Sequence, residues 1–225
     1  MPQNPTRTAR TRAEILDHAG RLFRLRGYAG TNIDDVMLAA GLTRGAFYAH
    51  FTSKDDLFTE AVIAGTGLRV RLRDGEPAAV LKAYLDKVEL VASAPTCVLA
   101  ALPSDIARAP LVARLAYANL LYATIGELAG AKKRKLDTDA TVAAILAVGA
   151  VALARASGDT RLSDWLLRCA ARAVRPLLKS RASPRKTRSR SRRKAVGVRR
   201  SRRAARSRGG RAAGGPTARS SAARR

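Results

Sequence analysis

The chain has 225 residues, 47% of them hydrophobic, with 43 Lys and Arg against 17 Asp and Glu, a formal charge of +26. That length carries one or two domains with a real core, and that charge points to a polyanionic partner, a nucleic acid or an anionic membrane surface. The excess is uneven: residues 179–225 hold 19 Lys and Arg and no acid, whereas residues 1–178 hold 24 basic against 17 acidic.

The basic start, MPQNPTRTARTRAE, is followed by no apolar stretch of the kind a secretory signal needs. Ile15, Ala19, Leu22 and Phe23 recur at helical spacing, so residues 9–26 read as an amphipathic helix with Gly27 just past its end. TNIDDVMLAAG, 31–41, gives a short helix with Thr31 as its N-cap and Ile33, Val36, Met37 and Ala40 inward. Gly41 ends it, Thr43 caps a helix over 44–51, and Thr52 or Ser53 caps another that runs to about Arg71. RDGEP, 73–77, breaks the pattern. Further helices are predicted over 77–93, 96–107, 110–130, 139–156 and 160–178, with Pro, Gly and SGD breakers between them. The apolar run VAAILAVGAVALA, 142–154, is too short and Ala-rich to span a bilayer, and Arg155 closes it. In the last helix Leu162, Trp165, Leu166, Cys169, Ala170, Ala173, Val174, Leu177 and Leu178 form one apolar stripe. Cys97 and Cys169 lie far apart in apolar stretches, as core thiols do. From residue 180 onward Arg, Ser, Ala and Gly replace the large apolar residues, and such a tail cannot bury enough surface to fold. The fold class is therefore all-α with a disordered basic C-terminal tail.

Two short helices joined at Gly41–Thr43 make a helix-turn-helix. On a helical wheel over 44–51, Phe47 and Phe51 lie together and face the core. The opposite side carries Gly45 and Ala49, flanked by Ala46 and Tyr48, and a face this slim allows deep entry into a major groove. Arg44 falls in the first turn, where a recognition helix meets base edges. Tyr48 and His50 splay toward the two phosphate strands, and Lys54 opens the next helix, whose free N–H groups can share a phosphate with its ammonium.

Residues 11–62 resemble the N-terminal domain of the TetR family of bacterial transcriptional regulators. ILDHAGRLFRLRGYAGTNI is similar to the family's first helix and its Gly-Tyr/Phe exit. IDDVMLAAGLTRGAFYAHFTSKDDLF is similar to its I-A-x-x-A-G-V-S-x-G-x-x-Y-x-H-F-x-S-K-x-x-L motif, with Met37 for Ala, Thr43 for Ser and Phe47 for Leu. LARASGDTRLSDWLL, 153–167, loosely resembles the junction of the family's last two helices. The resemblance implies a homodimeric, all-helical, repressor-like protein, with a DNA-binding domain over 8–68 and a ligand-binding and dimerisation domain over 69–178. Its last two helices would pair in a four-helix interface, and a small effector would change the spacing of the two DNA-reading heads and release a near-palindromic operator. By position Thr31, Thr43, Arg44, Gly45, Ala46, Tyr48, Ala49, His50 and Lys54 match the family's DNA contacts. Arg44 and Ala46 are the base-edge candidates, and Thr31, Tyr48, His50 and Lys54 the phosphate candidates.

Other chemistry finds little support. His18 and His50 are the two histidines, and no nucleophile–base set, Gly-rich phosphate loop or metal-ligand spacing accompanies them. No enzyme, cofactor or metal is expected. The segment 77–130 offers Tyr84, Cys97, Tyr117, Asn119 and Tyr122 among many apolar residues, so an effector is expected to be largely apolar. The tail is expected to bind DNA without reading sequence. A nucleoid-coating architectural protein is the alternative reading. Either would work in the bacterial cytoplasm, on the nucleoid, with double-stranded DNA and no membrane as partner.

Overall fold

The computed structural model describes residues 5–86, 97–130 and 136–179, and within them every regular element is a helix. The basic tail over 180–225 lies outside the described residues, as does much of the helix predicted over 77–93.

Helix α1, Pro5–Arg26, buries Ile15, Ala19 and Phe23 and stops at Gly27, whose φ of 73° suits a residue without a Cβ. The cap of α2, Ile33–Ala39, corrects the expectation for Thr31. Asn32 fills that position, its side chain accepting the Asp35 N–H at 2.6 Å. Thr31 instead turns inward, 1% exposed, and its hydroxyl donates to the Gly27 carbonyl at 2.9 Å. Both residue types cap well. The inward turn of the chain after Gly27 decides which of them faces out, and Thr31 serves a carbonyl left over at the end of α1.

Helix α2 closes in two bonds. The Gly41 N–H donates to the Leu38 carbonyl at 3.0 Å, and the Leu42 N–H donates to that of Met37 at 2.9 Å, with Gly41 at φ 68°. This is the Schellman arrangement, and it holds the angle of the turn. Helix α3 is shorter than predicted, Arg44–Phe47 rather than 44–51. The N–H groups of His50 and Phe51 converge on the Phe47 carbonyl at 2.9 and 3.0 Å, a tightened last turn that brings both Phe47 and Phe51 into the core.

Ser53 caps α4, Lys54–Ala64, by accepting the Asp56 N–H, and the Asp56 carboxylate accepts the Thr52 N–H in return. The single helix predicted over 54–71 is two helices, α4 and α5, Gly67–Asp74. The break falls at Gly65, where there is no room for a side chain: a Cβ would stand 2.2 Å from Val98 Cγ2. Glu76 and Pro77 open α6, Pro77–Tyr84, with the Glu76 carboxylate accepting two N–H groups. Pro103 divides the segment predicted over 96–107 into α7, Val98–Ala101, and α8, Pro103–Arg108. The long helices are α9, Leu111–Leu128, α10, Thr138–Ala156, and α11, Thr160–Lys179.

Two apolar clusters hold these helices. The first is aromatic, built on Phe23, Phe47, Phe51 and Phe58 of α1–α4, and α7, α8 and the start of α9 add Leu99, Ile106 and Ala113 to it. The second is aliphatic and Ala-rich, and joins α5, α6, α10, α11 and the end of α9. Cys97, Leu121 and Val148 pack against both. Helix α10 corrects the expectation about its length: it has 19 residues with a mean hydropathy of 1.7, enough by length and composition alone to cross a membrane. Here one face is packed within the protein, where Ala143, Ala147, Ala150 and Ala154 are buried in the second cluster with Leu167, Ala170 and Val174 of α11.

Candidate nucleic-acid interface

The aromatic core dictates what the outer surface of α3 presents. Phe47 and Phe51 stack inward with centroids 5.8 Å apart, and Tyr48 sets its ring edge-on to Phe47 at 5.2 Å while remaining 61% exposed. Anchoring the Phe pair leaves Thr43, Arg44, Gly45, Tyr48 and Ala49 on the exposed side, with Ala46 and His50 half-buried at its margins. A Cβ on Gly45 would meet nothing within 4 Å among the described residues, so no packing among them requires glycine there. The low relief of this face is available to whatever approaches from outside.

Charge is organised around it by carboxylates of α2 and α4. Arg44 Nη1 donates to Asp34 Oδ2 at 2.6 Å across the helix-turn-helix, with both side chains more than half exposed. Arg26 pairs with Asp35 at 3.2 Å. Lys54 places its ammonium 4.1 Å from the centroid of the Tyr28 ring, and the Tyr28 hydroxyl donates to the Asp55 carboxylate in a short bond. Burial, and then the bond to Asp55, push the Tyr28 phenol up to about 12. Arg12 pairs with Glu60 at 2.8 Å and lies over Phe51 at 4.6 Å, fixing α1 to α4 behind the face. Acids in the first turn of α2 and a cation in the first turn of α3 are the signal that could have found the Asp34 contact, because the turn at Gly41 brings those ends together.

The structure thus gathers eight of the nine candidate residues on α3, the Thr43 position that precedes it, the turn after it and the start of α4. Thr31 stands apart, buried with its hydroxyl committed to Gly27, so it presents no hydroxyl to a phosphate. His50 is half-buried, with Nδ1 enclosed and without a hydrogen-bond partner. Elsewhere, Tyr117 donates to the Leu99 carbonyl at 2.8 Å, Tyr84 is buried in the second cluster and Tyr122 is exposed. Burial pushes the Tyr117 phenol up to about 12.

Residues 15–61 match the family described as bacterial regulatory proteins, tetR family. Over 50 residues the chain is 52% identical to the HTH-type transcriptional regulator AcrR of Shigella flexneri, a stretch that is 22% of this chain and 23% of that protein. The chain therefore matches only about a quarter of that relative's length. The whole fold has wider counterparts. Escherichia coli NemR in its reduced form superposes with a TM-score of 0.59 at 19% identity, over 74% of this chain and 95% of that one. A TetR-family regulator from Cytophaga hutchinsonii gives 0.59 at 19% identity, over 77% and 98%. These two likenesses are of fold. The segment that builds the α3 face thus carries the signature of the tetR family, and the helical fold around it is shared with these two structures.

Proposed function

We propose that this protein is a sequence-specific DNA-binding transcriptional regulator, a repressor released by a small effector. The observation that carries the reading is the exposed face of α3: small residues at its centre, Arg44 at its entry, and Lys54 with the N-terminus of α4 beside it. A slim helix face enters the major groove, guanidinium donors read guanine edges, and helix N-termini and ammonium groups hold phosphates. The similarity to AcrR, a protein named as a transcriptional regulator, falls in the same segment. The test is selection from a random duplex library followed by footprinting. One protected near-palindrome supports the reading, and uniform coverage favours the architectural alternative.

The reading as a dimer is supported by α10 and α11. Ile145, Leu153, Leu162 and Trp165 are each about half exposed or more, and a Cβ on Gly149 would meet nothing within 4 Å among the described residues. An apolar face of this extent on a soluble chain calls for a partner, and a second copy offers the same face in two-fold symmetry. Two recognition helices then read half-sites one or more helical turns apart. We assign DNA reading to residues 8–68 and effector binding and dimerisation to residues 69–178. A groove of about 490 Å³ lined by Ile63, Thr66, Arg69, Leu115, Ala116 and Asn119 among others is mostly apolar and suits a small, largely apolar effector. It spans the break at Gly65, so filling it bears on the angle between α4 and α5.

The tail over 179–225 favours a second, coexisting activity. Its 19 cations and absence of acids and aromatics suit phosphate neutralisation without base stacking or fixed geometry. A chain ending at Leu178 is expected to keep its operator choice. Its slope of log affinity against log salt should fall by about 0.9 unit for each phosphate that the tail neutralises in the full chain. Equal slopes for the two chains would exclude the tail from DNA binding. Both activities place the protein in the bacterial cytoplasm, on the nucleoid.

A further inference from the structure

We infer that Asp34 is a specificity-determining positioning residue: its carboxylate aims the Arg44 guanidinium at a base edge and keeps it from being spent on phosphates. The inference rests on the DNA-binding reading above. A guanidinium on an exposed side chain samples many rotamers, and in front of a duplex its nearest attraction is the phosphate backbone, which carries no sequence information. Arg44 does not hang free. One N–H of Nη1 is held by Asp34 Oδ2 at 2.6 Å, and among the described residues no bond engages Nε or Nη2. The Nε–Nη2 edge therefore keeps the two parallel donors that a guanine O6/N7 contact needs, while Nη1 is fixed from behind.

The anchor itself is well placed. Asp34 sits in the first turn of α2, one of the two helices whose relative angle the Gly41 turn sets, and the α2 cap is supplied by Asn32. Asp34 is thus not needed to cap its helix, and with its side chain 56% exposed it is not needed for the core. Its negative charge also acts on DNA directly. A carboxylate beside a recognition helix is repelled by every phosphate alike, and that repulsion is offset only where Arg44 finds its base. Asp34 therefore lowers general affinity while raising discrimination, the opposite of what a phosphate-binding or merely stabilising residue does.

The near-isosteric variant Asp34→Asn tests this, measured in the full chain against the selected operator, each single-base variant of it, and a random duplex. Expected is a loss of preference at one base position of about three- to tenfold, part of what a bidentate base contact supplies. Affinity for the random duplex should be unchanged or higher, with an unaltered melting temperature. In an Arg44→Ala background, Asp34→Asn should cause no further loss at that position, because the residue acts through Arg44. Asp34→Glu should restore part of the preference. Additive losses in the double variant, or a parallel fall of affinity on every duplex, would overturn the inference and leave the DNA-binding reading standing. A wild-type chain that distinguishes no duplex from any other would overturn both.

Discussion

The α2–α3 pair and the α10–α11 pair are both joined by short turns that contain a glycine at positive φ, Gly41 and Gly158, yet they distribute side-chain size differently. In the first pair Met37, Phe47 and, just beyond, Phe51 are inside, and the outside carries Gly45, Ala49 and Arg44 beside the exposed Leu38 and Tyr48. In the second pair Ala143, Ala147, Ala150, Ala154 and Ala170 are inside with Val151, Leu167, Val174 and Leu178, and the outside carries Ile145, Leu153, Leu162 and Trp165. Aromatic residues bury much area from few positions, so a small domain completes its own core and leaves its surface free for a polar partner. Alanine lets two helices approach closely but buries little per residue, so apolar area is left on the outer side of the pair. One pair leaves a slim face with a cation outside, the other a broad apolar one.

The largest expected effect comes from breaking the second pair. Gly149→Arg faces open space and Trp165→Asp a half-exposed site, so neither should unfold the single chain. Both should give monomers by sedimentation and, because a monomer grips one half-site alone, operator binding weaker by about 10²–10⁴-fold. A wild-type chain that sediments as a monomer at micromolar concentration would undo this half of the comparison. Next in size is the first pair's core: Phe47→Ala at a fully buried ring should cost about 3–5 kcal/mol in denaturant melts. A small loss there would mean that the aromatic cluster is not what sustains the α3 face.

The two pairs also differ in how plainly the sequence announces them. Aromatics and glycines punctuate residues 15–58, so the helix-turn-helix, the inward Phe47 and Phe51 and the exposed Gly45 and Ala49 are all readable from periodicity and turn chemistry. The choice of Asn32 over Thr31 is not, because both are good caps and only the path after Gly27 decides which one faces the core. The need for glycine at residue 65 is unreadable for another reason: the atom that forbids a side chain there belongs to Val98, distant in sequence. In α11 periodicity gives one broad apolar stripe, and packing divides it. Leu167, Ala170, Val174 and Leu178 turn inward, while Leu162, Trp165 and Cys169 stay exposed. A stripe wider than one contact face is itself a sign of two contacts, one within the chain and one beyond it.

A smaller effect sharpens the polar side of the comparison. Arg44→Ala should cost about 1–3 kcal/mol on the best operator and relax preference at one base position. Lys54→Ala should weaken all sequences alike and lower the salt slope by about one unit. Binding curves on a site library separate the two roles. An unchanged base preference in Arg44→Ala would remove that residue from base reading.

The smallest effect concerns the brace that holds Lys54 in place. The Tyr28 ring lies under the ammonium and its hydroxyl donates to Asp55, which ties the turn after α1 to the start of α4. Tyr28→Phe keeps the ring, including its edge contact with Phe58 at 5.1 Å, and removes the hydroxyl alone. The expected loss is about 0.5–1.5 kcal/mol, that of one hydrogen bond. Its pH dependence has a definite sign. The phenol donates only when neutral, and its folded value of about 12 lies above the ordinary 10.0, so its contribution is complete below pH 10.0 and is lost as pH rises through about 12. Stability differences between wild type and Tyr28→Phe should therefore be constant from neutral pH to about 10 and shrink across the interval above it. Tyr117, also raised to about 12, titrates in the same interval in both proteins and cancels from the difference. A difference that instead grows above pH 10 would mean that the ionised phenolate, drawn to the Lys54 ammonium, is the favoured form in the folded chain.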